Sequence, residues 1–162
     1  MKDMPILERR RIEAQILKHV HEVIEARSGA EEADAVIGTA VSRSAIDQGR
    51  GFAEALGHKP DFKDFADILP LWTKDDALKI ETIETSAEKL EFNVLRCRYA
   101  EMYREMGLGR IGHLLSCNRD GDFCIGYNSD MKMTRTQTIM GGASHCDFRY
   151  RMEPEAGSHA TK

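Results

Sequence analysis

The sequence predicts an α+β domain in which N-terminal helices pack on an antiparallel sheet of about 4–5 strands, itself interrupted by two helices. Three observations carry that prediction. Apolar residues recur at three- and four-residue spacing as far as about residue 69. From Leu78 the period changes to strict alternation. All four cysteines, at 97, 117, 124 and 146, then fall in the second half of the chain. The 162 residues fit one domain spanning 1–153, with a helical part over 1–72, the sheet and site over 75–153, and a flexible tail over 154–162.

Residues 5 to 27 read as an amphipathic helix. Pro5 stands near its start with Asp3 as a cap candidate, Ile12, Ile16, Val20 and Val23 form its apolar stripe, and Ser28-Gly29 ends it. Arg9, Arg10 and Arg11, offset by Glu8 and Glu13, read as a solvated helix face, and His19 and His21 as surface residues. A second helix runs from Glu32 to Leu56 and stops at Gly57. Ile37, Val41, Ala45, Gln48, Phe52 and Ala55 mark its buried side. Gly38, Gly49 and Gly51 imply either close approach of a neighbouring helix or a kink. A short helix follows over Phe62–Leu69, and Trp72 closes an apolar knot that could border a pocket mouth.

The alternation Leu78-Ile80-Thr82 and Leu90-Phe92-Val94, around Ser86 to Lys89, reads as a hairpin. Arg98 to Met106 reads as a helix stopped by Gly107, and Arg110 to Cys117 as another. Strands are expected at Phe123–Tyr127, Met133–Met140 and His145–Met152, with Asn128-Ser129-Asp130 as a turn.

The chemistry-bearing residues concentrate between Cys97 and Phe148. Cys117 lies four residues after His113, which on a helix puts thiol and imidazole on one face. A thiol needs a base or a positive field to become a nucleophile, and the imidazole supplies the base. Asp120 could orient it. His145 and Cys146 form a competing pair, although a regular strand turns adjacent side chains to opposite faces. Gly141-Gly142 could break that regularity, or present amide donors to a ligand.

The cysteine spacings of 20, 7 and 22 contain no close pair of the kind structural zinc sites show. No cofactor is expected. Zinc stays open only through convergence of His113, Cys117, His145 and Cys146. The net charge of −4 argues against nucleic acid and anionic membrane as partners. No apolar run approaches the ~18–20 residues of a membrane span, and no signal peptide is seen at the N-terminus, so a cytoplasmic protein with reduced thiols is expected. Homo-oligomerisation through the N-terminal helices is left open.

Taken together, Cys97-x-Tyr99-Ala100, Met106-Gly107, Cys117-x-x-Asp120, Tyr127-Asn128, Arg135-Thr136-x-Thr138, Gly142 and His145-Cys146-Asp147-Phe148 resemble the L-2-amino-thiazoline-4-carboxylic acid hydrolase family. The resemblance is clearest from about residue 75 to 152. Arg98 stands where many members carry proline, and Ala143 where an acid is common, which leaves the substrate within the family open. The layout of hairpin, two helices and closing strands also resembles the 4-vinyl-reductase-type domain, a small-molecule-sensing fold. That likeness supplies the alternative of a non-catalytic small-molecule- or zinc-binding domain.

The family resemblance implies hydrolytic opening of a thiazoline ring to an N-carbamoyl amino acid, on a route to cysteine. It implies a small substrate carrying a carboxylate. Cys117, His113 and Asp120 are the first choice for the chemistry, with Cys146 and His145 competing. Arg135 or Arg98 could hold the carboxylate, and Cys97, Gly141, Gly142 and Asp147 complete the binding set.

Overall fold

In the computed structural model, residues 4–154 are described. The expectations placed on Asp3 and on the tail beyond Pro154 lie outside them.

Two long helices open the chain, α1 (Ile6–Ser28) and α2 (Ala30–Leu56), joined at Gly29. Gly57 stops α2 in the left-handed region, at φ 73°. The short helix α3 (Phe62–Ile68) starts with a capping box in which Asp61 accepts from the backbone of Lys63 and Asp64. One further turn, α4 (Pro70–Thr73), carries Trp72. The hairpin follows as β1 (Leu78–Thr85) and β2 (Lys89–Cys97), with the Ser86 hydroxyl accepting from the amides of Glu88 and Lys89 in the turn. The helix α5 (Arg98–Glu105) leaves β2 directly, and Cys97 caps it: its Sγ accepts from the Ala100 N–H at 3.4 Å. After a π-helical turn at His113–Cys117 come α6 (Arg119–Tyr127), β3 (Met131–Thr134) and β4 (Cys146–Met152). The four strands form one antiparallel sheet in the order β1-β2-β4-β3.

Four local expectations are overturned. Phe123–Tyr127 is part of a helix, not a strand. Its aromatic residues favour strands intrinsically, but packing on α2 decides the outcome. Gly49 and Gly126 make that packing possible. A Cβ at Gly49 would sit 2.2 Å from the Phe123 carbonyl oxygen, and one at Gly126 would sit 1.9 Å from that of Ile46. Of the two readings of the α2 glycines, close approach is the one seen at Gly49.

Met133–Met140 does not continue as a strand either. Pairing ends at Thr134 opposite Arg149, because the Asp147 carboxylate then captures the chain. It accepts from the Thr136 N–H (2.9 Å), the Thr136 hydroxyl (2.5 Å) and the Gln137 N–H (3.0 Å).

The third correction concerns α1. Its expected apolar stripe faces outward, with Ile12 48% and Ile16 63% exposed, and Val20 and Val23 exposed as well. The buried face is Ile6, Arg10, Ala14 and His21. Arg10 is therefore not on a solvated face. Nor is His21 a surface residue; its Nε2 lies 2.7 Å from Asp34 Oδ1 on α2. Inward polar groups won because they find partners there: Arg10 bonds Glu13 and, on α2, Gln48, and His21 meets Asp34 of α2. Fourth, the helix expected over 110–117 is reduced to the π-turn, in which the Asn118 N–H reaches the His113 carbonyl.

The interior falls into two apolar clusters. One gathers α1, α2 and α5 around Ile37, Val41, Met102 and Tyr103; the other is aromatic and joins α3 and α6 to the sheet. Trp72, Leu78, Cys97 and Ile139 touch both. The candidate site opens along that seam.

Candidate functional site

The end of β2, the start of β4, the π-turn and the first turn of α6 converge on a cavity of about 70 Å³. Three of the four thiols line it: Cys97, Cys117 and Cys146. Cys146 points inward because it shares a strand face with the buried Phe148 and Tyr150, while Asp147 faces away. Its Sγ accepts from the Ile139 N–H at 3.2 Å. Cys124, one helical turn beyond Asp120, is buried in the aromatic cluster and does not line the cavity.

Asp120 and Arg135 stand beside these thiols. Arg135 Nη1 donates to Asp120 Oδ2 at 2.7 Å, its Nη2 donates to the Cys117 carbonyl at 3.0 Å, and its guanidinium lies 4.9 Å from the centre of the Phe148 ring. Both terminal nitrogens of Arg135 are therefore engaged within the protein.

Arg10 of α1 and Arg119 of α6 form the deeper wall. They are only 3% and 7% exposed, and both donate to Glu13, from Arg10 Nη1 at 3.0 and 3.1 Å and from Arg119 Nη2 at 3.1 Å. Tyr103 and Ser116 share a hydrogen bond of 3.1 Å on the same lining, and the Tyr99 hydroxyl donates to the Trp72 carbonyl. A second chamber, of about 50 Å³, adjoins the first and shares Arg10, Trp72, Leu78, Arg119 and Asp120 with it.

The protonation pattern follows from burial. Desolvation pushes the Cys97 thiol up to about 11 and the Cys117 thiol up to about 12, with the Asp120 charge adding to the shift at Cys117. Cys146 is raised for the same first reason. All three are neutral thiols at neutral pH. Asp120 is also raised above its ordinary value by burial, against the opposing pull of Arg135. Burial and then the neighbouring Arg10 charge bring Arg119 down to about 10. Three guanidiniums, Arg10, Arg119 and Arg135, face two carboxyl groups, Glu13 and Asp120, an excess of one positive charge when both acids are ionised.

The structure brings Cys97, Cys117, Asp120, Arg135 and Cys146 together on one cavity. The other predicted site residues lie elsewhere. His113 is exposed on the π-turn and is not among the lining residues. His145 sits in the bend just before β4, its ring against Gln137 and Ser144 rather than in the cavity. Gly141 and Gly142 spend their amides in a turn, on Thr138 and Ile139, and Gly142 adopts a φ of 99° there. The neighbouring Met140, not either glycine, reaches the cavity. Asp147 ties down the 136–137 backbone, and Arg98 donates to the Asp75 carbonyl.

Arg10, Arg119, Tyr103 and Ser116 line the cavity without having been singled out by their sequence. For Arg10 a signal existed: Ile6, Arg10 and Ala14 are spaced by four, and Glu13 is three residues on. Among the described residues, no three His, Cys, Asp or Glu side chains are grouped to hold a metal ion, and no helix is long and apolar enough to cross a membrane.

The fold has distant likenesses among solved structures. The phenol-responsive sensory domain of the transcription activator PoxR matches with a TM-score of 0.55, at 10% identity over 86% of this chain and 73% of that one. A trafficking protein particle complex subunit 3 from Naegleria fowleri, covalently bound to palmitic acid, matches at 0.52, with 9% identity over 90% of this chain and 96% of that one. No curated protein sequence matches the chain. The family model for L-2-amino-thiazoline-4-carboxylic acid hydrolases covers residues 9–150, from the start of the first helix to the last strand, and the chain belongs to that family.

Proposed function

We propose that the protein is a hydrolase that opens a small cyclic amidine bearing a carboxylate, of the 2-amino-thiazoline-4-carboxylate type, to the N-carbamoyl amino acid. The observation that supports this reading best is the meeting of three thiols with the Asp120–Arg135 pair on one cavity. Each chamber has room for only a few water-sized groups, so the substrate must be small.

The ring carbon between sulfur and nitrogen becomes electrophilic when the amidine is protonated. Asp120, a carboxylate raised by burial, suits that cation and can exchange a proton with it. Cys117 stands beside Asp120 and is the candidate nucleophile. Its thiol proton passes to Asp120 as sulfur bonds to the ring carbon. The adduct breaks its bond to the ring sulfur, which leaves as a thiol with the proton from Asp120. Water then attacks the remaining S-linked carbon and releases Cys117, leaving a carbamoyl group on the amine. In the direct route, water attacks first and the same ring carbon–sulfur bond breaks. Arg135, its terminal nitrogens spent on Asp120 and the Cys117 carbonyl, positions the acid.

The test is incubation of the purified protein with 2-amino-thiazoline-4-carboxylate while thiol release is followed. Ring opening that falls at least about 100-fold in Cys117→Ser supports the covalent route. Full activity in both Cys117→Ser and Cys146→Ser leaves only the water route. Folded wild type that releases no thiol overturns the hydrolase reading. Binding without turnover would favour a second reading, a small-molecule receptor domain. The apolar walls of the cavity fit that reading too, and the PoxR domain that shares the fold is described as responsive to phenol.

A further inference from the structure

We infer that the second chamber is the carboxylate subsite and that Arg119, Arg10 and Gln48 form it, so that the substrate lies across Asp120 with its acid group away from the thiols. The inference rests on the hydrolase reading for the identity of the ligand, but its geometry is independent of turnover.

The donors in this chamber outnumber their partners. Arg119 donates from Nε to the Leu115 carbonyl at 2.8 Å and from Nη2 to Glu13, and its Nη1 has no hydrogen bond among the described residues. Gln48 of α2 accepts at Oε1 from Arg10 Nη2 at 3.2 Å. A guanidinium can only donate, so this contact fixes the amide's orientation and turns its NH₂ the other way. That Nε2 is buried and has no partner. Gln48, Arg10 and Arg119 all line the second chamber, whose remaining walls include Phe65, Leu69 and Phe123.

An unpaired buried donor and an unspent guanidinium nitrogen are costly to leave without an acceptor. A carboxylate supplies two acceptor oxygens and the one negative charge that the cluster of Arg10, Arg119, Arg135, Glu13 and Asp120 lacks. Arg135 cannot serve as well, since both its terminal nitrogens are engaged. A carboxylate held in the second chamber would leave the amidine ring in the first, beside Asp120 and the three thiols. The two chambers thereby set the direction in which the substrate enters.

The experiment compares 2-amino-thiazoline-4-carboxylate with 2-amino-2-thiazoline, which lacks the carboxylate. Both are offered to wild type, Arg119→Met, Arg119→Lys and Gln48→Leu, with kcat and KM measured alongside calorimetric binding. The selectivity of wild type for the acid should fall at least about tenfold in Arg119→Met, through KM, as loss of a charged hydrogen bond implies. Arg119→Lys should recover part of it, and Gln48→Leu should lose about three- to tenfold. Wild type that prefers the two compounds equally, or variants that weaken both alike, overturn the subsite. If wild type turns over neither compound, the hydrolase reading fails alone. Calorimetry still decides the subsite: acid-selective binding lost in Arg119→Met supports it, and binding indifferent to the carboxylate overturns it.

Discussion

Two regions of the interior, the aromatic cluster and the charged seam beside it, are built on opposite physical terms. On the sheet side, Phe62, Phe65, Phe92, Phe123, Tyr127, Phe148 and Tyr150 are buried against one another, with Phe92 and Phe148 stacked at 4.8 Å. Across the wall shared through Trp72 and Leu78, Arg10, Arg119, Asp120 and Arg135 gather charge around two chambers, with Glu13 bridging Arg10 and Arg119 behind them. Burying rings is favourable and adds geometric specificity. Burying charges costs desolvation that their mutual attraction repays only in part. The contrast shows which region is kept for stability and which is kept despite its effect on stability.

The sharpest separation comes from the aromatic side. Phe65 touches Tyr150 at 5.3 Å between ring centres, Phe123 at 5.7 Å and Tyr127 at 5.8 Å. Phe65→Ala should cost about 3–5 kcal/mol in urea unfolding. A cost under about 1 kcal/mol would mean that this cluster is not the stabilising region. Gly126→Ala tests the joint between the two regions, since its Cβ would meet the Ile46 backbone and α6 carries both Arg119 and Asp120. A loss of about 1–3 kcal/mol together with reduced ligand binding is expected. Lost stability with wild-type binding would show that α6 can shift without disturbing the site.

The charged side should behave in reverse. Arg119→Met leaves Glu13 paired with Arg10 and removes a cation that burial already disfavours. Stability should stay within about 1 kcal/mol of wild type or rise. A loss comparable to that of Phe65→Ala would make the arginine a structural strut.

This contrast also explains what the sequence could disclose. The hairpin, the α5 helix and the change of period were legible because the local pattern and the tertiary outcome agree there. Cys97, Cys117, Asp120, Arg135 and Cys146 stood out by their chemistry. Arg10 did not, because three consecutive arginines resemble a solvated face; its four-residue spacing to Ile6 and Ala14 was a weak local sign, and its burial with Glu13 and Gln48 is what sets it apart. The outward stripe of α1 misled for the same reason: periodicity shows that a helix has faces, but not which face the rest of the chain covers. The helix at 119–127 was hidden because its register depends on a glycine contact between distant segments. The thiol–imidazole spacing of His113 and Cys117 was a local pattern with no tertiary support.

The smallest effect divides the two aspartates, and its sign is the useful part. Asp120 is raised above its ordinary value by burial. Just above the unfolded value of about 3.9, its folded form holds more protons than the unfolded chain. Its contribution to stability is then complete in acid and is lost as pH rises through the folded value. Asp147 differs. Burial alone would raise it, but hydrogen bonds from the Thr136 hydroxyl and the Thr136 and Gln137 amides outweigh that and lower it. Its contribution is present above about 3.9 and is lost as pH falls through the folded value. Urea unfolding of wild type, Asp120→Asn and Asp147→Asn across acid and neutral pH separates the two. Relative to Asp120→Asn, wild type should lose stability as pH rises from about 4; relative to Asp147→Asn, it should lose stability as pH falls below about 4. Parallel slopes would mean that Arg135 outweighs burial at Asp120 as hydrogen bonds do at Asp147, and the proton exchange proposed for it would then lose its physical basis.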